Sequence, residues 1–190
     1  FNIYKTHSVR HRKFTNQTVN LGFIYIVRDP RDIVVSLSHF AEGSLDRTIN
    51  EILYSQKLMT TANGAKELLS TWELHARSWL EYTNVSRLFI RYEDLLNQTE
   101  ENILQIFDFL NKITHNLLIP NDLDIKKIAW ETSINNLKKE EELFGFNEAS
   151  KYSRFFRSGK KEQWKDILSL TQIKLIEKEL NPIMKLFNYL

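Results

Sequence analysis

The feature that most constrains this chain is a short apolar run that ends abruptly on charge. Residues 21–27 (LGFIYIV) carry no charged side chain, and Arg28-Asp29-Pro30-Arg31-Asp32 follows at once. An apolar run of this length, rich in β-branched and aromatic residues, predicts a buried strand covered on both faces, as in a parallel sheet. Pro30 suits the first position of a helix and Asp29 suits the N-cap before it. Asp32 is placed to complete that cap three residues later. Strand, tight turn and helix are thus expected in direct succession, the helix running over residues 30–40.

The rest of the chain repeats the alternation. Residues 1–5 (FNIYK) and 86–92 (SRLFIRY) read as two further strands. Helical spacing is found over 65–82, where Leu68, Leu69, Trp72, Ala76, Trp79 and Leu80 share a face, and over 100–110, with Ile103, Ile106, Phe107 and Leu110. Further helices are expected at 122–130, 134–144 and 171–190, the last bent at Pro182. Strands alternating with helices predict an α/β fold, a parallel sheet flanked by helices, with residues 1–5, 21–27 and 86–92 as parallel neighbours. At 190 residues, with no repeat and no linker-like stretch, residues 1–190 are expected to form a single domain.

Composition excludes several functions. The 26 Lys and Arg against 24 Asp and Glu leave a net charge of +2, too balanced for a bulk nucleic-acid binder, so no nucleic-acid partner is expected. Any bound anion must be met by basic groups that converge locally. The absence of cysteine excludes disulfides and thiolate metal sites, and none of the five histidines has metal-ligand spacing, so no metal is expected. No apolar run approaches the roughly 20 residues of a membrane span. With the lack of cysteine, this predicts a cytoplasmic protein.

The turn after residue 27 is a candidate anion site. The start of the following helix offers free N–H groups and the positive end of its dipole. Arg28 stands at the carboxyl end of the strand, where α/β sheets bind ligands, and Ser36 lies two turns into the helix. Spacing alone leaves a second reading open, in which Arg28 and Asp29 simply pair with neighbours at a strand end.

The segment FIYIVRDPRDIVVSLSHF (residues 23–40) resembles the 3′-phosphate-binding segment of the PAPS-dependent sulfotransferases, PAPS being 3′-phosphoadenosine 5′-phosphosulfate. Four other segments match that family in its own order. Lys5-Thr6-His7 is similar to its KTH segment, and TWELHARSWL (71–80) to the helix before its next strand. IRYEDL (90–95) is similar to a strand end whose Tyr approaches adenine, and FFRSGKKEQWKD (155–166) to the loop that begins Arg-Lys-Gly and continues to Trp-Lys. The resemblance covers essentially the whole chain.

The resemblance implies a P-loop NTPase-like fold and sulfuryl transfer from PAPS to a hydroxyl or amine, with the bisphosphate PAP as product. It implies that Arg28 and Ser36 hold the 3′-phosphate, together with Arg157, Ser158 and Gly159. Tyr92, Thr132, Ser133 and Ile134 fall where the family meets adenine. Lys5 and His7, two apart on an extended segment, face the same way. In the family's terms His7 takes the acceptor proton and Lys5 stabilises the departing phosphate. Without the family, a solvated Lys and a satisfied His would be the default reading. His39 and His75 are read as structural helix residues, and residues 138–142 as a solvated helix face.

The chain also departs from the family pattern. The Lys-Ser-Gly-Thr-Thr-like loop that cradles the 5′-phosphosulfate precedes the KTH segment in the family, and this chain begins there; the 190 residues are expected to be inactive without such a cradle. Ser158 replaces a Lys, Glu162 stands where a second Gly is common, and Ile134 replaces an aromatic. The family's dimer pattern Lys-Thr-Val-Glu is matched at Lys165 but not at Ser169, Leu170 or Lys174, so it sets no oligomeric state. The competing function is a non-catalytic module that binds a 3′-phosphorylated adenosine nucleotide; a nucleoside-kinase relative is disfavoured, since kinases lack the KTH segment and the Arg-Ser pair. The acceptor is expected to be a small molecule, or a glycan or peptide hydroxyl. Residues 6–20 and 140–154 are candidate acceptor loops, with Phe144, Phe146, Tyr152, Phe155 and Phe156 as candidate lining.

Overall fold

A computed structural model of the chain describes residues 2–11, 20–60, 64, 66–115, 124–149 and 153–190. Along it run β1 (Gly22–Val27), α1 (Pro30–Phe40), α2 (Leu45–Tyr54), β2 (Lys57–Thr60), β3 (Lys66–Leu69), α3 (Trp72–Leu80), β4 (Ser86–Arg91), α4 (Tyr92–Asn97), α5 (Thr99–Thr114), α6 (Ile125–Glu131), α7 (Ile134–Phe144), α8 (Trp164–Ile167) and α9 (Leu170–Leu186). Strands β1 and β4 pair in parallel, from Gly22 opposite Ser86 to Val27 opposite Arg91. The crossover between them carries α1, α2, an antiparallel β2–β3 hairpin and α3. This is the α/β architecture with a helix-flanked parallel sheet that the sequence predicts.

Alternation along β1 sends its side chains to two layers. Phe23 and Tyr25 meet α3, with Phe23 4.8 Å from Trp79 and Tyr25 5.6 Å from His75 between ring centres. Gly22 faces α5 instead. A Cβ there would lie 3.0 Å from Phe109, 3.3 Å from Ile113 and 2.7 Å from the Ser86 carbonyl, so only glycine lets α5 approach. Coverage on that side stops short: Ile26 is 54% exposed, and β1 is not sealed on both faces along its whole length.

The main core gathers where α1, α2 and α9 close over the end of β1. Val27, Val34, Val35, Ile49, Ile176, Ile183 and Met184 are all buried there. Each such side chain contributes roughly 1.5–3 kcal/mol relative to exposure. Their burial fixes the β1–α1 turn, whose side chains build the site.

Two local expectations are corrected, and one helix was not expected. Residues 2–7 form no strand and join no ladder among the described residues, and Ile3 and Tyr4 are exposed. The following residues dock on β3 rather than beside β1: the Val9 N–H donates to the Leu68 carbonyl at 2.9 Å, and the Leu68 N–H to the Ser8 hydroxyl at 3.0 Å. The helix expected over 65–82 divides into β3 and α3, because Thr71 caps the helix by accepting the Leu74 N–H at 3.2 Å. Finally, α2 was legible but unread: Ser44 caps it, and Leu45, Ile49, Ile52 and Leu53 hold helical spacing. Pro182 lies inside α9 without ending it. The expectations for residues 1, 12–19, 122, 123 and 150–152 lie outside the described residues.

Candidate functional site

The turn from β1 to α1 is held rigidly by charged groups. The Asp29 carboxylate accepts the Arg31 N–H at 2.9 Å and also takes the Arg31 guanidinium, through Nε at 2.9 Å and Nη2 at 2.6 Å. Arg31 further meets Glu177 of α9 at 2.5 Å and the Tyr189 carbonyl at 3.0 Å. Burial works against the charge of Arg31, but the two carboxylates more than offset it and raise its pKa. The Asp29 N–H donates to Glu93 at the head of α4, and the Tyr189 hydroxyl donates to Glu93 at 2.8 Å and to the Val27 carbonyl at 3.2 Å. Arg31 is therefore spent on structure, and Arg28 is left for other work.

The half-buried Arg28 guanidinium lies 4.5 Å over the ring of Tyr92 and donates through Nη2 to the Lys160 carbonyl at 3.2 Å. Its Nε is buried with no partner among the described residues. The same Lys160 carbonyl accepts the Gln163 amide at 2.9 Å, and the Gln163 oxygen accepts Arg157 Nη2 at 2.8 Å. Arg28 and Arg157, far apart in sequence, thus end on one stretch of loop. Gly159 in that loop has φ of 64° and packs directly on Ile134, the first residue of α7.

Two acidic residues hold the loop in ways the sequence reading missed. Asp32 is fully buried and does not complete the α1 cap as expected. It reaches across to accept the N–H groups of Glu162 at 2.7 Å and Trp164 at 3.1 Å. Burial raises its pKa, opposed by those two hydrogen bonds and by the charge of Arg28. Glu141 is also buried, so residues 138–142 are not simply a solvated face; its two oxygens accept the N–H groups of Phe155 at 2.6 Å and Phe156 at 2.9 Å. Glu162 itself sits at φ of 59°, a left-handed conformation that explains the sense of a glycine there.

The other candidates are less gathered. Tyr92 opens α4 rather than ending a strand, and its face is covered by Arg28. Ser36 is half-buried on α1, and its hydroxyl makes no hydrogen bond among the described residues. Thr132 is exposed and donates to the Ile128 carbonyl at 2.8 Å, while Ser133 occupies the N-cap of α7. Ser158 is half-buried beside Gly159. Lys5 and His7 make no hydrogen bond, ion pair or ring contact with the Arg28 group among the described residues. The Lys5 ammonium pairs with Glu148, just beyond α7. The His7 N–H donates to Glu67 at 2.9 Å, and its carbonyl meets His75 Nε2 at 3.2 Å. The Tyr25 hydroxyl lies 2.8 Å from the other ring nitrogen of His75, and burial lowers the His75 pKa. A carbonyl only accepts, so Nε2 carries the proton and neutral His75 takes the Tyr25 hydroxyl on Nδ1. Four aromatic rings pack beside the loop: Phe146 is 4.7 Å from Phe155 and 4.9 Å from Phe156, with Phe40 6.3 Å from Phe155.

The profile of the sulfotransferase domain matches residues 2–188. The chain belongs to the sulfotransferase domain family. Among curated relatives, the amine sulfotransferase of Oryctolagus cuniculus is 26% identical over 170 residues, covering 86% of this chain and 54% of that protein. Sulfotransferase 2A1 of Mus musculus is 29% identical over 160 residues, covering 82% and 53%. Cytosolic sulfotransferase 15 of Arabidopsis thaliana is 27% identical over 173 residues, covering 85% and 46%. The chain therefore spans about half the length of the curated relatives it matches. Two solved structures share the fold: mouse sulfotransferase SULT7A1 complexed with PAP, at a TM-score of 0.63, and retinol dehydratase in complex with androsterone and PAP, at 0.61. Each is 22% identical and matches 85% of this chain, against 58% and 47% of those chains respectively.

The Arg28 group is the candidate anion site of this sulfotransferase domain. The Arg28 guanidinium is only partly satisfied by protein groups, and Gly159 lets the loop pack closely on the Ile134 side chain. Among the described residues, no group of three or more His, Asp or Glu is placed to hold a metal, and no helix is long and apolar enough to cross a membrane.

Proposed function

We propose that this domain works in sulfuryl transfer from PAPS to a hydroxyl, or to an amine, on a small-molecule, glycan or peptide acceptor. Arg28 and Arg157 receive the 3′-phosphate with Ser36, Ser158 and Gly159, while Tyr92, Thr132, Ser133 and Ile134 border the adenine. In the transfer the acceptor oxygen forms a bond to sulfur as the bond from sulfur to the 5′-phosphate oxygen breaks, and PAP leaves. His7 takes the acceptor proton, and Lys5, once released by Glu148, stabilises charge on the leaving phosphate. The resident compartment on this reading is the cytoplasm, in line with the name of the Arabidopsis relative, and residues 1–190 act as a single domain.

The observation that carries the proposal is the convergence of Arg28 and Arg157 on the Lys160–Gln163 stretch. It is tested by calorimetric titration of the full-length protein with PAP. Arg28→Ala should weaken binding by about 1.5–3 kcal/mol, the loss expected for a charge-assisted hydrogen bond. Equal affinity in wild type and variant would refute the assignment.

A further inference from the structure

The loop of residues 153–163 has no regular secondary structure, yet it must present Arg157 and Gly159 in a fixed shape. Backbone N–H groups in such a loop need acceptors, and where these lie decides how rigid the loop is. Two buried carboxylates supply them in matched fashion. Asp32 on α1 takes Glu162 and Trp164 on one side of the Arg157–Lys160 stretch. Glu141 on α7 takes Phe155 and Phe156 on the other, one oxygen to each N–H. Its neighbours Glu140 and Glu142 are exposed, so the sequence places three glutamates in a row and the fold buries only the middle one. Burying a carboxylate is costly unless it is well hydrogen-bonded, and ionised acceptors form the stronger bonds. The helix that carries Glu141 begins at Ile134, on which Gly159 rests. Glu141 thus ties α7 to the arginine loop.

We infer that Glu141 is a positioning residue for the nucleotide site: by gripping the Phe155 and Phe156 amides it holds Arg157 and Gly159 where a 3′-phosphate is read, and so gives the protein its preference for 3′-phosphorylated adenosine nucleotides. The inference rests on the proposed binding of a 3′-phosphate at Arg28 and Arg157.

The variant Glu141→Gln keeps size and shape but turns one oxygen into a donor that faces an N–H. Two measurements on the full-length protein test it, with Glu140→Gln as control. Amide hydrogen exchange without nucleotide should speed up at Phe155 and Phe156 by about tenfold or more. Calorimetry should show the ratio of PAP to adenosine 5′-monophosphate affinity falling by about tenfold or more, while the affinity for the monophosphate stays within about twofold. A role in general stability alone would move both nucleotides together and leave the ratio intact. Equal discrimination by wild type and Glu141→Gln would overturn the inference, as would unchanged exchange. If the wild type does not prefer PAP, the proposed function fails instead, and the exchange data still judge the grip of Glu141 on the loop. Should Glu141→Gln fail to fold, Glu141→Asp keeps the charge but retracts it, and the same loss of discrimination is expected.

Discussion

Replacing Gly159 by alanine probes the contact between the arginine loop and α7 directly. The residue sits at φ of 64°, where an L side chain costs about 1–2 kcal/mol. The added Cβ would stand 2.6 Å from Ile134 Cγ1 and 2.9 Å from its Cβ. Carbon atoms prefer roughly 3.5–4.0 Å, so loop or helix must yield by about 1 Å. Ile134 is β-branched on a helix and has little rotamer freedom with which to give way. Overpacking of this kind costs about 1–3 kcal/mol. The loss of glycine's freedom in the unfolded chain returns about 0.4–1 kcal/mol. The net expectation is a destabilisation of roughly 1–4 kcal/mol, read as a lower urea midpoint at unchanged slope. Repeating Gly159→Ala in an Ile134→Gly background removes both contacts and leaves the backbone cost, about 1 kcal/mol. An equal cost in both backgrounds, or none in either, would refute the packing argument.

Other outcomes follow from groups already placed. His7→Ala should lower turnover by roughly 10²–10⁴-fold with little change in PAP affinity, and full turnover across pH 6 to 9 would remove His7 as the base. His75 is held below its ordinary pKa of 6.5 by burial, so the unfolded chain takes up its proton first as pH falls. Its contribution is complete above about pH 6.5 and drains away below it; the stability advantage of wild type over His75→Gln should therefore shrink from pH 7 to pH 5, and a constant difference would contradict this. Glu162→Gly should raise the melting midpoint by about 1–3 °C by relieving its left-handed backbone, and a fall would show that the side chain matters more than the strain.

The legible parts of the fold were those written in local code. The β1–α1 unit was readable because an apolar run, an N-cap and a proline act within residues 21–32, and α7 because Ser133 and the spacing after it bound it on one side. The splitting of residues 65–82 was missed because Leu68 and Leu69 satisfy helical and strand spacing alike, and only Thr71 marks the break. In the candidate site, Arg28 and Arg157 were singled out through their residue types and family positions. Asp32, Glu141 and Glu93 were not, because a carboxylate that accepts backbone N–H groups leaves no mark on the spacing of either partner. Asp32 lies on α1 and its partners near α8, and no periodicity connects them. His75 was read as structural, and the structure gives that reading a specific object, the carbonyl of His7.

The hydroxyl of Tyr189 reaches the Val27 carbonyl across 162 positions of sequence, and its own carbonyl holds Arg31. The β1–α1 turn is therefore braced from far along the sequence. β1 and α1 are made well before position 189, so Glu93 and Arg31 lack one partner until that residue arrives. Contacts of such long range form late and slowly. A chain stopped before that position would leave the Asp29–Arg31 turn without this brace.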